Sequence, residues 1–356
     1  MVNIKTGTVG MKTALHILSV HAITPNPYIE ILAKGIASKS IHVDSDINAF
    51  WDRQQQYDII QIHWPEWIFY SYNGRLPDKE FGERLTETLH LWKKSGTKIV
   101  YTQHNEKTHY VKGEEVRTNL YEILESEADA IVHLGYFSKN QMLENKYLSD
   151  KTHVVIPHHI FDTYFQRSVS QIEARKALDI HERFKVILVF GAFRDEEEIL
   201  LTQNVFEQLD EPNKYLFAPS WYHDGWHEYY NDHITPEGNS WLGTGSVDRD
   251  MLPYCFSAAD VVFIQRIRNL NSGNLPMAFL FNKTVVSPAI GNMTEYLDNI
   301  NNFSFDPFDL TSVNNALKKG LERAKYPQVN EVYARQQWNT AKICEQYRQL
   351  YQHITC

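Results

Sequence analysis

A chain of 356 residues is too long for one ordinary hydrophobic core and suits two domains of common size. Its formal charge of −9 argues against nucleic acid as the main partner, because a phosphate backbone demands a basic surface. Three cysteines (Cys255, Cys344, Cys356) are too few for a disulfide framework and fit no zinc motif, so a reduced, cytoplasmic setting is expected.

Residues 1–10 are polar and aperiodic and are expected to form a disordered leader. No apolar run approaches the ~20 residues of a membrane span. The short stretch from Lys12 to Val20 is followed by Glu30 and Lys34 without a small-residue cleavage site, so no secretory signal is expected. Ala14 to Val20 reads as a buried strand, followed by a turn at 24–27 and a helix with Tyr28, Ile31, Leu32 and Ile36 on one face. Asp58 to His63 is a second strand, which stops at an aromatic loop, Trp64-Pro65-Glu66-Trp67. Glu83 to Lys94 carries Leu85, Leu89 and Trp92 at helical spacing. Strands follow at Lys98 to Thr102, Asp129 to Leu134 and His153 to Ile156. Strands separated by helical patterns predict a parallel sheet with right-handed crossovers.

The scheme repeats with strands at Lys185 to Phe190, Lys214 to Ala218, Trp241 to Gly243, Val261 to Ile264 and Thr284 to Ser287, and a helix from about Glu197 to Leu209. Asn330 to His353 predicts one long amphipathic helix burying Val332, Trp338, Ile343, Tyr347 and Leu350. Between Ala259 and Glu295, a strand empties into Asn271-Ser272-Gly273-Asn274, then an apolar helical segment, a strand and a loop at Gly291-Asn292. Such a strand–turn–helix presents backbone N–H groups to one point and suits an anion such as a phosphate. The spacing of His223, His227 and His233 fits no helix face and is not expected to hold a metal.

Ligands of open parallel sheets bind beyond the carboxyl ends of the strands. The candidates there are Asn26, His63, Glu66, His104, Asn105, Glu106 and His158 in the first half. In the second half they are Gly191, Arg194, Arg266, Arg268, Asn271, Ser272, Gly273 and Glu295.

Five motifs in order resemble the GT-B glycosyltransferases of the family 4 type. They are Asp58 to Glu66 (DIIQIHWPE), Thr102-Gln103-His104-Asn105, Ile156-Pro157-His158, Phe190-Gly191-Ala192-Phe193-Arg194, and Asn271-Ser272-Gly273 followed by Gly291 and Glu295. The resemblance implies an α/β chain of two Rossmann-like, doubly wound parallel-sheet domains facing across a cleft. Residues 11–165 would bind the acceptor, 166–330 the nucleotide-sugar donor, and a helix within 331–356 would cross back onto the first domain. The resemblance further implies sugar transfer from a nucleotide-diphosphate donor to a glycan hydroxyl, with no cofactor and no metal and usually with retention. The setting it suggests is bacterial surface or capsular polysaccharide assembly on a polyprenyl-diphosphate-linked acceptor, in the cytoplasm or peripherally at the membrane. Arg194, His104 and Glu295 become the catalytic candidates. Donor binding falls to Gly191, Arg194, Arg266, Arg268, Asn271, Ser272, Gly273 and Glu295, and acceptor binding to Asn26, His63, Glu66, His104, Asn105 and His158.

Two features depart from that pattern. Glu197 stands where the family usually has a lysine, and Arg268 and Pro276 stand where it has a glutamate pair. Arg266 or Arg268 is then expected to supply the missing positive charge. An inverting reaction would need a base, for which Glu66, His104 and Glu106 are the candidates. A nucleotide-sugar epimerase of the same fold and a non-catalytic binding subunit are the alternatives.

Overall fold

The computed structural model describes residues 14–20, 26–71, 78–106, 114–144, 147–165, 169–219, 239–243 and 246–356. The expected leader, Thr24 and Pro25 of the first turn, and His223, His227 and His233 lie outside them. The chain divides into two units, one of residues 1–157 with 340–356 and one of residues 158–339.

The first unit contains β1 (Leu15–Val20), α1 (Pro27–Ile36), β2 (Ile41–Asp44), α2 (Ile47–Asp52), β3 (Ile59–Ile62), α3 (Pro65–Ser71) and α4 (Asp78–Lys94). It continues with β4 (Lys98–Gln103), α5 (Glu114–Glu127), β5 (Ala130–His133), α6 (Tyr136–Leu143) and β6 (Thr152–Val155). All six strands are parallel, in the order β2-β1-β3-β4-β5-β6.

The second unit contains α7 (Gln171–Ala177), β7 (Lys185–Leu188), α8 (Glu196–Gln208), β8 (Lys214–Ala218), β9 (Ser240–Leu242), α9 (Leu252–Ala258) and β10 (Val261–Phe263). It continues with α10 (Asn274–Leu280), β11 (Thr284–Pro288), β12 (Phe303–Phe305), α11 (Leu310–Arg323) and α12 (Asn330–Gln337). Its strands are also all parallel, ordered β12-β11-β10-β7-β8-β9. The closing helix α13 (Thr340–Thr355) belongs to the first unit.

The pleat sorts each strand's side chains to two faces. In the first unit Leu15, Ile17, Ile59, Val100 and Val132 pack with Tyr28, Ile29 and Leu32 of α1 and Ile343 and Tyr347 of α13. Leu18, Ile60, Ile62, Ile99 and Ile131 pack on the other side with Leu85, Leu89 and Leu124 of α4 and α5. The second unit is layered likewise, with Val186, Leu188 and Val262 against α9 and α10, and Ile187, Val261 and Val286 against α8 and α11. Burial on both faces explains why these strands read as continuous apolar runs.

Helices α1 and α13 meet closely. A Cβ on Gly35 would stand 2.3 Å from Cys344 Sγ. Arg348 donates to the carbonyls of Gly35 and Ile36, covering the carboxyl end of α1 with a cation. Beneath them runs a buried polar chain: Tyr351 Oη donates to Gln61 Oε1 at 3.0 Å, and Gln61 Nε2 donates to Thr102 Oγ1 at 2.5 Å. The Tyr347 hydroxyl lies 3.4 Å from Thr102 Oγ1 and 3.3 Å from the Tyr28 hydroxyl.

Two expectations are corrected. The loop read at Trp64–Trp67 becomes the start of α3, because Pro65 lacks the N–H that a first helical turn leaves unused. The single helix read over Asn330 to His353 is two helices, interrupted at Trp338-Asn339. Trp338 is buried against Phe279 and Tyr296, with ring centroids at 5.2 and 4.7 Å, and this docking ends α12. Val332 faces solvent instead, at 61% exposure.

Candidate functional site

Strand order reverses between β7 and β10 in the second unit and between β1 and β3 in the first, the positions where open sheets form a crevice. The candidate residues follow the carboxyl ends of β1, β3, β4 and β6 in the first sheet and of β7, β10 and β11 in the second.

In the second unit Gly191 follows β7 with φ +91°, a conformation glycine adopts without strain. A Cβ there would lie 3.2 Å from Arg266 Nη2. The loop is pinned by Asn274 Nδ2, donating to the Phe190 carbonyl at 2.6 Å, and by Gln265 Nε2, donating to the Gly191 carbonyl at 3.3 Å. Arg266 is buried and forms an ion pair with Glu198, whose Oε2 also accepts the Arg194 backbone N–H at 3.0 Å. Burial pushes the Glu198 carboxyl up, and the Arg266 guanidinium and the Arg194 amide pull against that rise. Asp195 caps α8 by accepting from Glu198 N at 3.0 Å. Arg194 extends across the β10 loop, its Nη1 donating to the Arg268 carbonyl at 3.3 Å and to Asn269 Oδ1 at 3.5 Å. Arg268 is exposed and pairs with Glu197 at 2.9 Å.

Asn271 accepts at Oδ1 from Asn292 Nδ2 at 2.8 Å, and Asn292 N donates to the Leu270 carbonyl at 2.9 Å. Gly291, at φ +57°, sits so close that a Cβ would meet the Asn269 and Leu270 carbonyls at 2.5 Å. Ser272 accepts from Asn274 N, and Gly273 is exposed. Glu295 is exposed on a 3-10 turn near Tyr333, whose hydroxyl is raised by burial and then by this carboxylate. Gln265 Oε1 and Asn269 Nδ2 are buried without a hydrogen-bond partner among the described residues. Polar atoms left so beside two arginines suit a ligand with both donors and acceptors.

In the first unit the pleat sends His63 and His104 to the α1 side and Asn105 to the α5 side. His63 Nδ1 and His104 Nε2 are 3.1 Å apart, both rings buried. Trp64 stacks on His104 at 4.1 Å and 21°, and Tyr28 meets His104 edge-on at 5.1 Å. On the other side the Tyr121 hydroxyl donates to Glu66 Oε2 at 3.1 Å. Tyr101 Oη and Asn105 Nδ2 are buried without a partner among the described residues. Burial, with Glu122 beside it, pushes the Glu125 carboxyl up to about 7. Asn26 Oδ1 accepts from Tyr28 N at 3.0 Å, so it caps α1. Glu106 is exposed. His158 belongs to the second unit, its Nδ1 donating to the His159 carbonyl at 2.5 Å.

The structure thus joins Gly191, Arg194, Arg266 and Arg268 through adjoining loops, and His63 with His104. Glu198, Tyr28 and Tyr121 were not singled out as site residues. The signal for Glu198 was present: Asp195-x-x-Glu198 is a capping-box spacing, which turns the third residue's carboxylate back toward the chain entering the helix.

No family model matches the chain, and no curated protein matches its sequence. Solved structures match its fold. Sucrose-phosphate synthase from Thermosynechococcus elongatus aligns with a TM-score of 0.73 at 14% identity, covering 96% of this chain and 99% of that one. Anabaena HepE in complex with UDP-glucose aligns at 0.68 and 13% identity, covering 94% and 99%. The catalytic domain of starch synthase IV from Arabidopsis thaliana, bound to ADP and acarbose, aligns at 0.67 and 11%, covering 96% and 99%. The fold is that of the two-domain GT-B proteins, each domain a Rossmann-like parallel sheet.

Proposed function

We propose that this protein is a glycosyltransferase that moves a sugar from a nucleotide-diphosphate donor to a hydroxyl of a glycan acceptor. The observation that carries the reading is the arginine arrangement at the β7/β10 reversal: Arg194 lying over the β10 loop, beside a positive-φ Gly191 and a buried Arg266–Glu198 pair. The fold shared with a UDP-glucose complex and an ADP complex supports it.

In this reading the leaving diphosphate is held by Arg194 and by Arg268, whose exposed pair with Glu197 is weak enough to exchange for a phosphate. Arg266 is committed to Glu198 and positions the loop. His104, His63 and Glu66 orient the acceptor. The anomeric C–O bond to the diphosphate breaks, and the acceptor oxygen forms the new C–O bond. In a retaining, metal-independent reaction of the family 4 type, the acceptor proton passes to a phosphate oxygen of the leaving group. In an inverting one, a base such as Glu66 or His104 takes it. The setting that fits the resemblance is bacterial surface or capsular polysaccharide assembly at the inner face of the membrane, on a polyprenyl-diphosphate-linked acceptor. No helix among the described residues is long and apolar enough to cross a membrane.

One observation favours a rival. Glu197 occupies the usual lysine position and holds Arg268, as a non-catalytic binding subunit would tolerate. Incubation with UDP-, GDP- and ADP-sugars, with and without oligosaccharide acceptors, tests the reading. Acceptor-dependent release of nucleoside diphosphate supports transfer. Turnover of donor alone to an isomer supports an epimerase, and binding without turnover supports the subunit.

A further inference from the structure

His16 is the second residue of β1 and His42 the second of β2, and the parallel register sets them side by side. Asp44 lies two residues beyond His42, on the same face of the pleat. Each of its oxygens meets one imidazole: Oδ2 lies 2.8 Å from His16 Nε2, and Oδ1 lies 2.9 Å from His42 Nε2. One ligand atom from each of the three residues falls within a 4.8 Å span, the only such trio among the described residues.

We propose that His16, His42 and Asp44 form a binding site for a divalent transition ion, of the kind for which zinc is the standard probe. Two imidazoles and one carboxylate are the ligand set that borderline ions take, with a solvent molecule completing a tetrahedron. Bond lengths near 2.1 Å would set neighbouring ligand atoms about 3.4 Å apart, so the 2.8 and 2.9 Å contacts open by about half an ångström while the wider separations, which reach up to 4.8 Å, close. His42 gives that freedom, since its side chain is 74% exposed on the edge strand β2. Exposure also leaves the fourth position open to water. Tyr57 Oη donates to Asp44 Oδ2 at 3.0 Å, the outer hydrogen bond that orients a ligating carboxylate. Without the ion each Nε2–H donates to an Asp44 oxygen; coordination uses the Nε2 lone pair, so each neutral ring moves its proton to Nδ1 and none is lost overall.

The site is remote from the proposed chemistry. His16 stands near the amino end of β1, where its N–H donates to Asp58 ahead of β3, whereas His63 and His104 lie beyond the carboxyl ends. A bound ion would fasten the edge strand to its neighbour, a structural role in a metal-independent transferase.

Tag-free protein is stripped with EDTA, and zinc uptake is measured by calorimetry and thermal shift at pH 7.5. The expected result is a zinc-dependent rise in Tm and an equivalent of uptake that His42→Ala and Asp44→Asn both abolish. Tyr57→Phe, which keeps the packing, is expected to weaken affinity about tenfold. His42 is exposed enough that its loss leaves the fold intact, so unchanged uptake and Tm rise in His42→Ala would overturn the site. No uptake by the wild-type protein would do so as well.

Discussion

His63 and His104, 41 positions apart in sequence, share a 3.1 Å hydrogen bond between Nδ1 and Nε2. One ring donates and the other accepts, so each tautomer depends on its partner. Trp64 and Tyr28 hold the pair from two sides. His104→Ala is expected to lower acceptor-dependent transfer about a hundredfold through lost positioning. Slow donor hydrolysis without acceptor should persist. Equal loss of both activities would place His104 in donor chemistry instead.

Arg194 and Glu198 should separate function from stability. Arg194→Ala is expected to cut turnover by about 10²–10³-fold, with little change in the denaturation midpoint. Glu198→Ala leaves the Arg266 guanidinium buried without its counter-charge, costing about 3–5 kcal/mol of stability. Urea titration beside steady-state assay distinguishes the two, and Arg194→Ala at wild-type turnover would end the proposed diphosphate contact.

Gly35 tests the packing of α1 on α13. An alanine there drives its Cβ into Cys344 Sγ, and the helices must part. Overpacking of this kind costs about 1–3 kcal/mol. Gly35→Ala with Cys344→Ala should recover part of the loss, because the obstructing sulfur is gone. A double-mutant cycle in urea measures the coupling.

His133 gives the fold a pH dependence of defined sign. Burial, with His153 and Lys139 nearby, lowers its imidazole from the ordinary 6.5 to about 3. Below about 6.5 the unfolded chain takes up a proton that the folded ring refuses. This contribution is therefore complete above pH 6.5 and is lost as pH falls toward 3. Glu125, raised to about 7, acts in the opposite sense: its contribution is present below about 4.5 and lost as pH rises through 7. Comparing wild type with His133→Gln isolates the histidine. The urea midpoint should drop less between pH 7.5 and 5 in the variant, and parallel drops would remove His133 from the account.

The strands were legible because apolar runs such as Lys185 to Leu188 are buried on both sheet faces and have no competing reading. The short elements were not. Phe303–Phe305 is three residues long, and α3 begins on a proline that also suits a loop. Val332 fitted the stripe of α12, but the register is broken when Trp338 docks onto Phe279 and Tyr296. Strand-end position placed Gly191 and Arg194 beside the β7/β10 ends and His104 beside the β3/β4 ends. It did not show that Arg266 is neutralised, because Glu198 reaches it across 68 positions. Nor did it reveal His16 and His42, which meet only through strand register.

The return of α13 to the first sheet bears on how the protein is made. The cluster around Ile29, Leu32, Val100 and Val132 lacks the cover of Ile343, Tyr347 and Tyr351 on the ribosome until residues 340–355 emerge, after the whole second unit has been synthesised. A stop codon ahead of position 340 would therefore injure the domain translated first and leave the one translated last intact.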